Sequence, residues 1–222
     1  MALALNYKDN LNVAVGTYGY VTDSFLPKLS PAYSAPSSTD KNYYHYDVAA
    51  AKAMLAQSKV PNGFTMTLKY AENSMFKALA EVIQNQLKVI NITVNVTPED
   101  SSVFSTDIAK GNFEAQMINS SNPDPAAVMN LLDGRMTFQQ VQGGSGWKGS
   151  DDLYKLMDTA KSTIDETSRN AAYKQIQTII NEAVPAIPLV SQNRIITAKS
   201  NLKGIMLTVF TDTDLSRAYR VK

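Results

Sequence analysis

The sequence predicts an α/β fold: a mixed, mostly parallel sheet built on one βαβ unit, with flanking helices. Three observations carry this. Phe64, Met66, Leu68 and Tyr70 alternate with Thr65, Thr67 and Lys69, the period of two that marks a strand with one apolar face. Between Ser74 and Lys88, the residues Phe76, Leu79, Ala80, Ile83 and Leu87 fall on a single helical stripe. Ile92, Val94 and Val96 then alternate with Thr93, Asn95 and Thr97. A helix that crosses between two such strands implies a parallel pair joined right-handedly. A parallel sheet buried under helices on both sides is apolar on both faces. The polar alternates here predict that one face is only thinly covered.

The other elements are read in chain order. Residues 2 to 15 read as two short helical pieces meeting near Asn6, with Leu3, Tyr7, Leu11 and Val15 spaced by four. Thr17 to Asn42 is a long loop rich in Pro, Ser and Tyr, either functional or a mobile excursion. Asp47 is placed to cap a helix that buries Val48, Ala51, Met54 and Leu55, and Pro61-Asn62-Gly63 turns the chain into the βαβ unit. Ser101 or Ser102 is expected to cap a helix carrying Phe104 and Ile108 and ending at Gly111. Phe113 to Ile118 is the expected third strand; Pro123 and Pro125 forbid its continuation. Ala126 to Leu132 reads as helix. Gln142 to Ser150 is glycine-rich around Trp147. Ser150 caps a helix burying Leu153, Leu156, Met157 and Ala160. Thr167 to Ala183 is a further helix, with Ala172, Ile176, Ile179, Ile180 and Ala183 inward. Leu189-Val190 and Ile195 to Ala198 read as strands, and the tail from Leu202 as short strand and turn.

The composition removes several function classes. With 21 basic and 20 acidic residues the net charge is +1, which does not point to nucleic acid or an anionic membrane as partner. The absence of cysteine excludes disulfides, thiolate catalysis and cysteine–zinc sites. His45, the one histidine, lies among tyrosines without a nucleophile elbow, so a packed or surface role outweighs catalysis, and a transition-metal site is not expected. Asp151-Asp152 and Asp165-Glu166 stand at helix starts, where they complement the dipole. Gly143 to Gly146 lacks the strand before it and the Gly-Lys-Ser/Thr ending of a phosphate loop. No catalytic residue is assigned and no cofactor is expected.

Ligand binding is the better physical reading. In open α/β sheets ligands sit beyond the carboxyl ends of the strands, which is where the loop from Asn119 to Asp124 lies. The expected ligand-binding residues are Asn119, Ser120, Ser121, Asn122, Asp124 and Trp147. Pro123-Asp124-Pro125 can equally make a turn and cap the next helix, and Trp147 is either a ligand platform or a core plug.

Several stretches, in order across nearly the whole chain, resemble the family 5 extracellular solute-binding proteins, the peptide and nickel receptors of ABC importers. Tyr46-Asp47 with Ala51-Lys52 to Leu55 resembles that family's Tyr-Asp…Ala-Lys-x-Leu-Leu helix. Pro61-Asn62-Gly63-Phe64 is similar to the segment after it. Gly111-Asn112-Phe113-Glu114 resembles Gly-Asp-Phe-Asp, and Asn122-Pro123-Asp124-Pro125 resembles Tyr-Pro-Asp-Pro. Asp165 to Arg169, Tyr173 and Ala183 to Leu189 resemble the helix and strand that end the family's second lobe, and Lys203-Gly204 resembles its Val-Lys-Gly.

The resemblance implies a periplasmic-binding-protein-like lobe spanning residues 1–222, the second of a two-lobed receptor that closes over a peptide or related small solute without chemistry of its own. The first lobe would lie upstream, the tail 202–222 would head back toward it, a membrane permease would be the partner, and the location would be extracellular or periplasmic with a membrane anchor in the upstream part. A sensing or interaction module and a hydrolase with a carboxylate site are the alternatives. One departure bears on the ligand. Peptide-binding members carry Trp-x-Ala-Asp-Tyr before Pro-Asp-Pro, and its Asp pairs with the peptide's amino terminus. Here those positions are Ile118, Asn119, Ser120, Ser121 and Asn122. A serine cannot supply the charge-assisted bond an aspartate gives an ammonium, so the resemblance leaves recognition of a free amino terminus open. The nickel branch gains no support from a single imidazole.

Overall fold

The structure is a computed structural model that describes residues 1–36, 45–120, 124–133, 135, 149–208 and 212–221. Its helices are α1 (Tyr7–Ala14), α2 (Val48–Ala56), α3 (Ser74–Lys88), α4 (Ser101–Lys110), α5 (Pro125–Asn130), α6 (Asp151–Ser162) and α7 (Glu166–Ala183). The principal strands are β1 (Gly19–Val21), β2 (Phe64–Ala71), β3 (Ile92–Glu99), β4 (Ala115–Met117) and β5 (Val190–Gln192). The central sheet has the order β3-β2-β4, and both pairings are parallel. β1 and β5 form a separate antiparallel ribbon.

Local sequence explains most element ends. Asn6 caps α1 after a short 3-10 turn at Ala2–Ala4. Asp47, Asn73, Ser150 and Asp165 cap α2, α3, α6 and α7 by accepting backbone N–H groups. Gly111 closes α4 in the left-handed conformation. Gly63 enters β2 at φ +91°, where a Cβ would lie 1.8 Å from the Asn91 carbonyl oxygen. Only glycine allows the turn into β2 to pass that close to the turn into β3.

Several expectations are corrected. The cap of α4 is Asp100, not Ser101 or Ser102; its carboxylate accepts the Ser102 N–H. The third strand is Ala115–Met117, shorter than Phe113 to Ile118, because the Glu114 carboxylate takes the Thr67 N–H at 2.6 Å just where the ladder to β4 would begin. Ile195 to Ala198 forms no strand. Met54 and Ala183 point outward, while Tyr173, Gln177 and Asn181 are buried on α7.

Apolar side chains gather in two clusters. One joins the lower faces of β2 and β3 to α3, α1 and Ala51. The other joins α5, α6 and α7 to Leu26 and Ala32 of the long loop. The chain passes between them within one turn, from Ile180 in the second cluster to Val184 against the first. Gln177 pins the long loop to α7: its amide nitrogen donates to Ala32 O and Tyr173 O, and its Oε1 accepts from Ser24 Oγ at 2.7 Å and Ser34 N. The upper face of the sheet is thinly covered, as its pattern predicts. Thr65, Thr93 and Asn95 are exposed, and Thr67, Lys69 and Thr97 half-buried. Beyond Gln192 the described residues make two-residue strands, β6 (Leu202–Lys203) with β9 (Tyr219–Arg220) and β7 (Met206–Leu207) with β8 (Thr213–Asp214).

Candidate functional site at the carboxyl edge of the sheet

All three central strands run the same way, so their carboxyl ends form one edge. The register fixes what stands there. Ala71 of β2 pairs with Glu99 of β3, and Tyr70 pairs with Met117 of β4. Continued past the ladders, that register sets Glu72 between Asp100 and Asn119. The Glu72 N–H donates to the Glu99 carbonyl at 2.9 Å, which carries the β2–β3 pairing one step further. α3 and α4 both begin at this edge. Their caps, Asn73 and Asp100, are occupied by the Phe76 and Ser102 N–H groups.

An ion cluster sits just behind the edge, under α4. The Lys69 ammonium bonds Asp107 Oδ2 and lies 2.9 Å from Glu99 Oε1. The side chains of Lys69, Glu99 and Asp107 are 15%, 10% and 17% exposed. Asn112 donates to Asp107 at 3.1 Å. The hydrogen bond to Asp107, then that to Glu99, raises the Lys69 pKa, and Lys69 in turn holds the Asp107 carboxyl below the usual carboxylate range. Glu99 Oε2 is buried without a hydrogen-bond partner among the described residues. The lysine of the sheet is therefore consumed by two carboxylates and offers no charge to a ligand.

Asn119 and Ser120 lie at the end of β4 and are exposed. Asp124 is also exposed and caps α5 by accepting the Ala126 N–H at 2.9 Å. Ser121, Asn122 and Trp147, like Gly143 to Gly146, lie outside the described residues. The rule that selected the loop after β4 applies equally to the connections after β2 and β3, which begin with Glu72 and Asp100.

A depression of about 460 Å³ lies elsewhere, along α6, lined by Arg135, Tyr154, Asp158 and neighbours. Its guanidinium is spent. Arg135 makes paired hydrogen bonds to both Asp133 and Asp158 and stacks 4.6 Å from the Tyr154 ring centre. Among the described residues no group of three or more His, Asp or Glu could hold a metal ion, and no helix is long and apolar enough to cross a membrane.

The model of the bacterial extracellular solute-binding proteins, family 5 (middle region), matches residues 1–138. The chain is 25% identical over 207 residues to the peptide transport periplasmic protein SapA of Haemophilus influenzae, covering 91% of this chain and 36% of that protein. It is 31% identical over 152 residues to the di/tripeptide-binding protein 1 of Pseudomonas aeruginosa, covering 65% of this chain and 28% of that one. Among solved structures, it superposes on the periplasmic binding protein DppA of Helicobacter pylori, bound to the peptide STSA, with TM-score 0.78, 24% identity, and coverage of 100% of this chain and 43% of that one. The substrate-binding protein CtaP of Listeria monocytogenes gives TM-score 0.80 at 20% identity, with coverage of 100% and 46%. These likenesses show the periplasmic-binding-protein fold, and the chain spans under half the length of each of these relatives. With residues 1–138 matched by the family model and the fold shared along its length, the chain belongs to the family 5 bacterial extracellular solute-binding proteins.

Proposed function

We propose that residues 1–222 act as one lobe of a receptor for peptides or related small solutes, binding ligand at the carboxyl edge of the sheet and closing against a second lobe. The observation that carries this reading is the edge itself: three parallel strands end together in exposed polar residues, Glu72, Asp100, Asn119 and Ser120. The loop from Asn119 to Asp124, with Trp147, is its proposed ligand contact. Relatives described as peptide-binding or peptide-transport proteins support the solute class, and a permease of an ABC importer is the proposed partner, at the outer face of the membrane.

The tail is proposed to lie against the other lobe. Met206, Leu207, Leu215, Tyr219 and Val221 are all exposed on it, apolar side chains that a second lobe would cover. The lobe is proposed to be non-catalytic. The converging carboxylates among the described residues are tied up in ion pairs, Glu99 and Asp107 on Lys69 and Asp133 and Asp158 on Arg135.

Closure makes a prediction about affinity. With half the contacts absent, this chain alone should bind small peptides only in the millimolar range, about 4 kcal/mol, because contacts to both lobes favour the closed state. Calorimetry with di- to tetrapeptides tests it. Sub-micromolar binding would contradict the need for a second lobe, and no binding at about 10 mM would contradict ligand binding at this edge.

A further inference from the structure

We infer that Lys69 is a positioning residue: by clamping α4 and the lead-in to β4 onto the sheet, it sets the polar residues of the carboxyl edge where a ligand meets them. This rests on the reading of the edge as the ligand site and names what holds that site in shape. Lys69 lies on the central strand, opposite Thr97 of β3 and Gln116 of β4. Its ammonium bonds Asp107, in the second turn of α4, and Glu99, the last residue of β3. Asp107 in turn accepts from the Asn112 side chain at 3.1 Å and, through its carbonyl, from the Asn112 N–H at 2.8 Å. Two residues later the Glu114 carboxylate accepts the Thr67 N–H. One lysine thus joins β2, β3, α4 and the turn that leads into β4, just behind Asp100, Asn119 and Ser120.

Apolar packing leaves this task to the polar groups. Phe104 and Ile108 of α4 are buried, yet among the described residues neither belongs to either apolar cluster. The sheet face that carries Lys69 presents threonines and Asn95, which give a helix little apolar grip. Directed polar bonds fix one placement of a helix on such a face, and in a partly dry site they are strong. The cluster is also rich in acid. One ammonium serves two carboxylates whose side chains are 10% and 17% exposed. Removing the cation would leave both without a counter-ion in a poorly hydrated place. A displaced α4 would carry Asp100 and the Ser102 turn that it caps with it. Asn119 and Ser120 would follow through Asn112 and the short ladder of β4.

The test is amide hydrogen exchange together with a trialanine titration, both read from the amide signals of the isotope-labelled 222-residue chain and its variants. Asp107→Asn keeps Lys69 paired with Glu99 and so should leave the fold intact. It should speed exchange in α4 about tenfold, leave α3 and the β2–β3 ladder within about twofold, and weaken trialanine binding about fivefold. Lys69→Met should act more strongly, by about a hundredfold on α4 exchange. Lys69→Arg keeps the charge and can reach both carboxylates, so it should hold α4 protection and binding near the native level. Lys77→Met, at an exposed site on α3, should change neither. Exchange that rises equally throughout the chain, or α4 protection that survives both Asp107→Asn and Lys69→Met, would overturn the clamp. Faster exchange in α4 with native trialanine affinity would overturn the positioning of the edge and leave the cluster a structural role. A native chain in which trialanine moves no amide would overturn the edge as the ligand site, and the exchange comparison would still decide whether the cluster holds α4.

Discussion

Asp133 shows what single side chains contribute away from the ligand edge. Its side chain is 2% exposed, yet it is charged and bound by Arg135 through both oxygens, with Lys161 at 3.6 Å. The hydrogen bonds from Arg135 hold its carboxyl below the usual range, against the opposing effect of burial. An aspartate in the unfolded chain titrates near ~3.9. The stability drawn from this pair is therefore whole above about pH 4 and is lost as the pH falls through the lowered native value. Asp133→Asn should cost about 2 kcal/mol at pH 7 and should flatten the acid-induced loss. Urea unfolding of both proteins at pH 7 and pH 3 measures this; an equal loss between the two pH values would contradict it. The local sequence around Asp133 gives no hint of the pair, because Arg135 and Asp158 meet only once α6 is in place.

Among the elements, the βαβ unit was legible almost to the residue, since strand and helix periods are local properties. β2 and β3 bury Met66, Leu68, Tyr70, Ile92 and Val94 on one side, and α3 buries the five residues of its stripe. The misses were tertiary. β4 is cut short by a glutamate that replaces a strand N–H partner, and Gln177 is buried because a loop far away in sequence folds onto it. The turn at Gly63 was visible as Pro-Asn-Gly, but its tightness was not. Gly63→Ala should destabilise by well over the ~1–2 kcal/mol expected for a left-handed alanine alone, because the added carbon meets the Asn91 backbone. Gly111→Ala, also left-handed at φ +67° but at a helix end, should cost only that smaller amount. Thermal unfolding of the two variants gives the comparison, and equal losses would refute the close-approach argument.

For the whole molecule, the sequence carried the fold and the family further than it carried the site. The ordered motifs between Tyr46 and Gly204 located the family, and parallel pairing located the edge. The choice of one loop over the others was less complete. Asn119 and Ser120 do lie at the edge, but Glu72 could be placed beside Asn119 only through the register of β2 with β4, and register is a property of paired strands that no single strand reveals. The central claim is that this edge, and not the depression along α6, receives the ligand. Mapping the amide shifts caused by trialanine on this chain tests it most directly. The largest shifts are expected at residues 71–73, 99–102 and 117–120. Shifts concentrated at Arg135, Tyr154 and Asp158, with the strand ends unmoved, would contradict it.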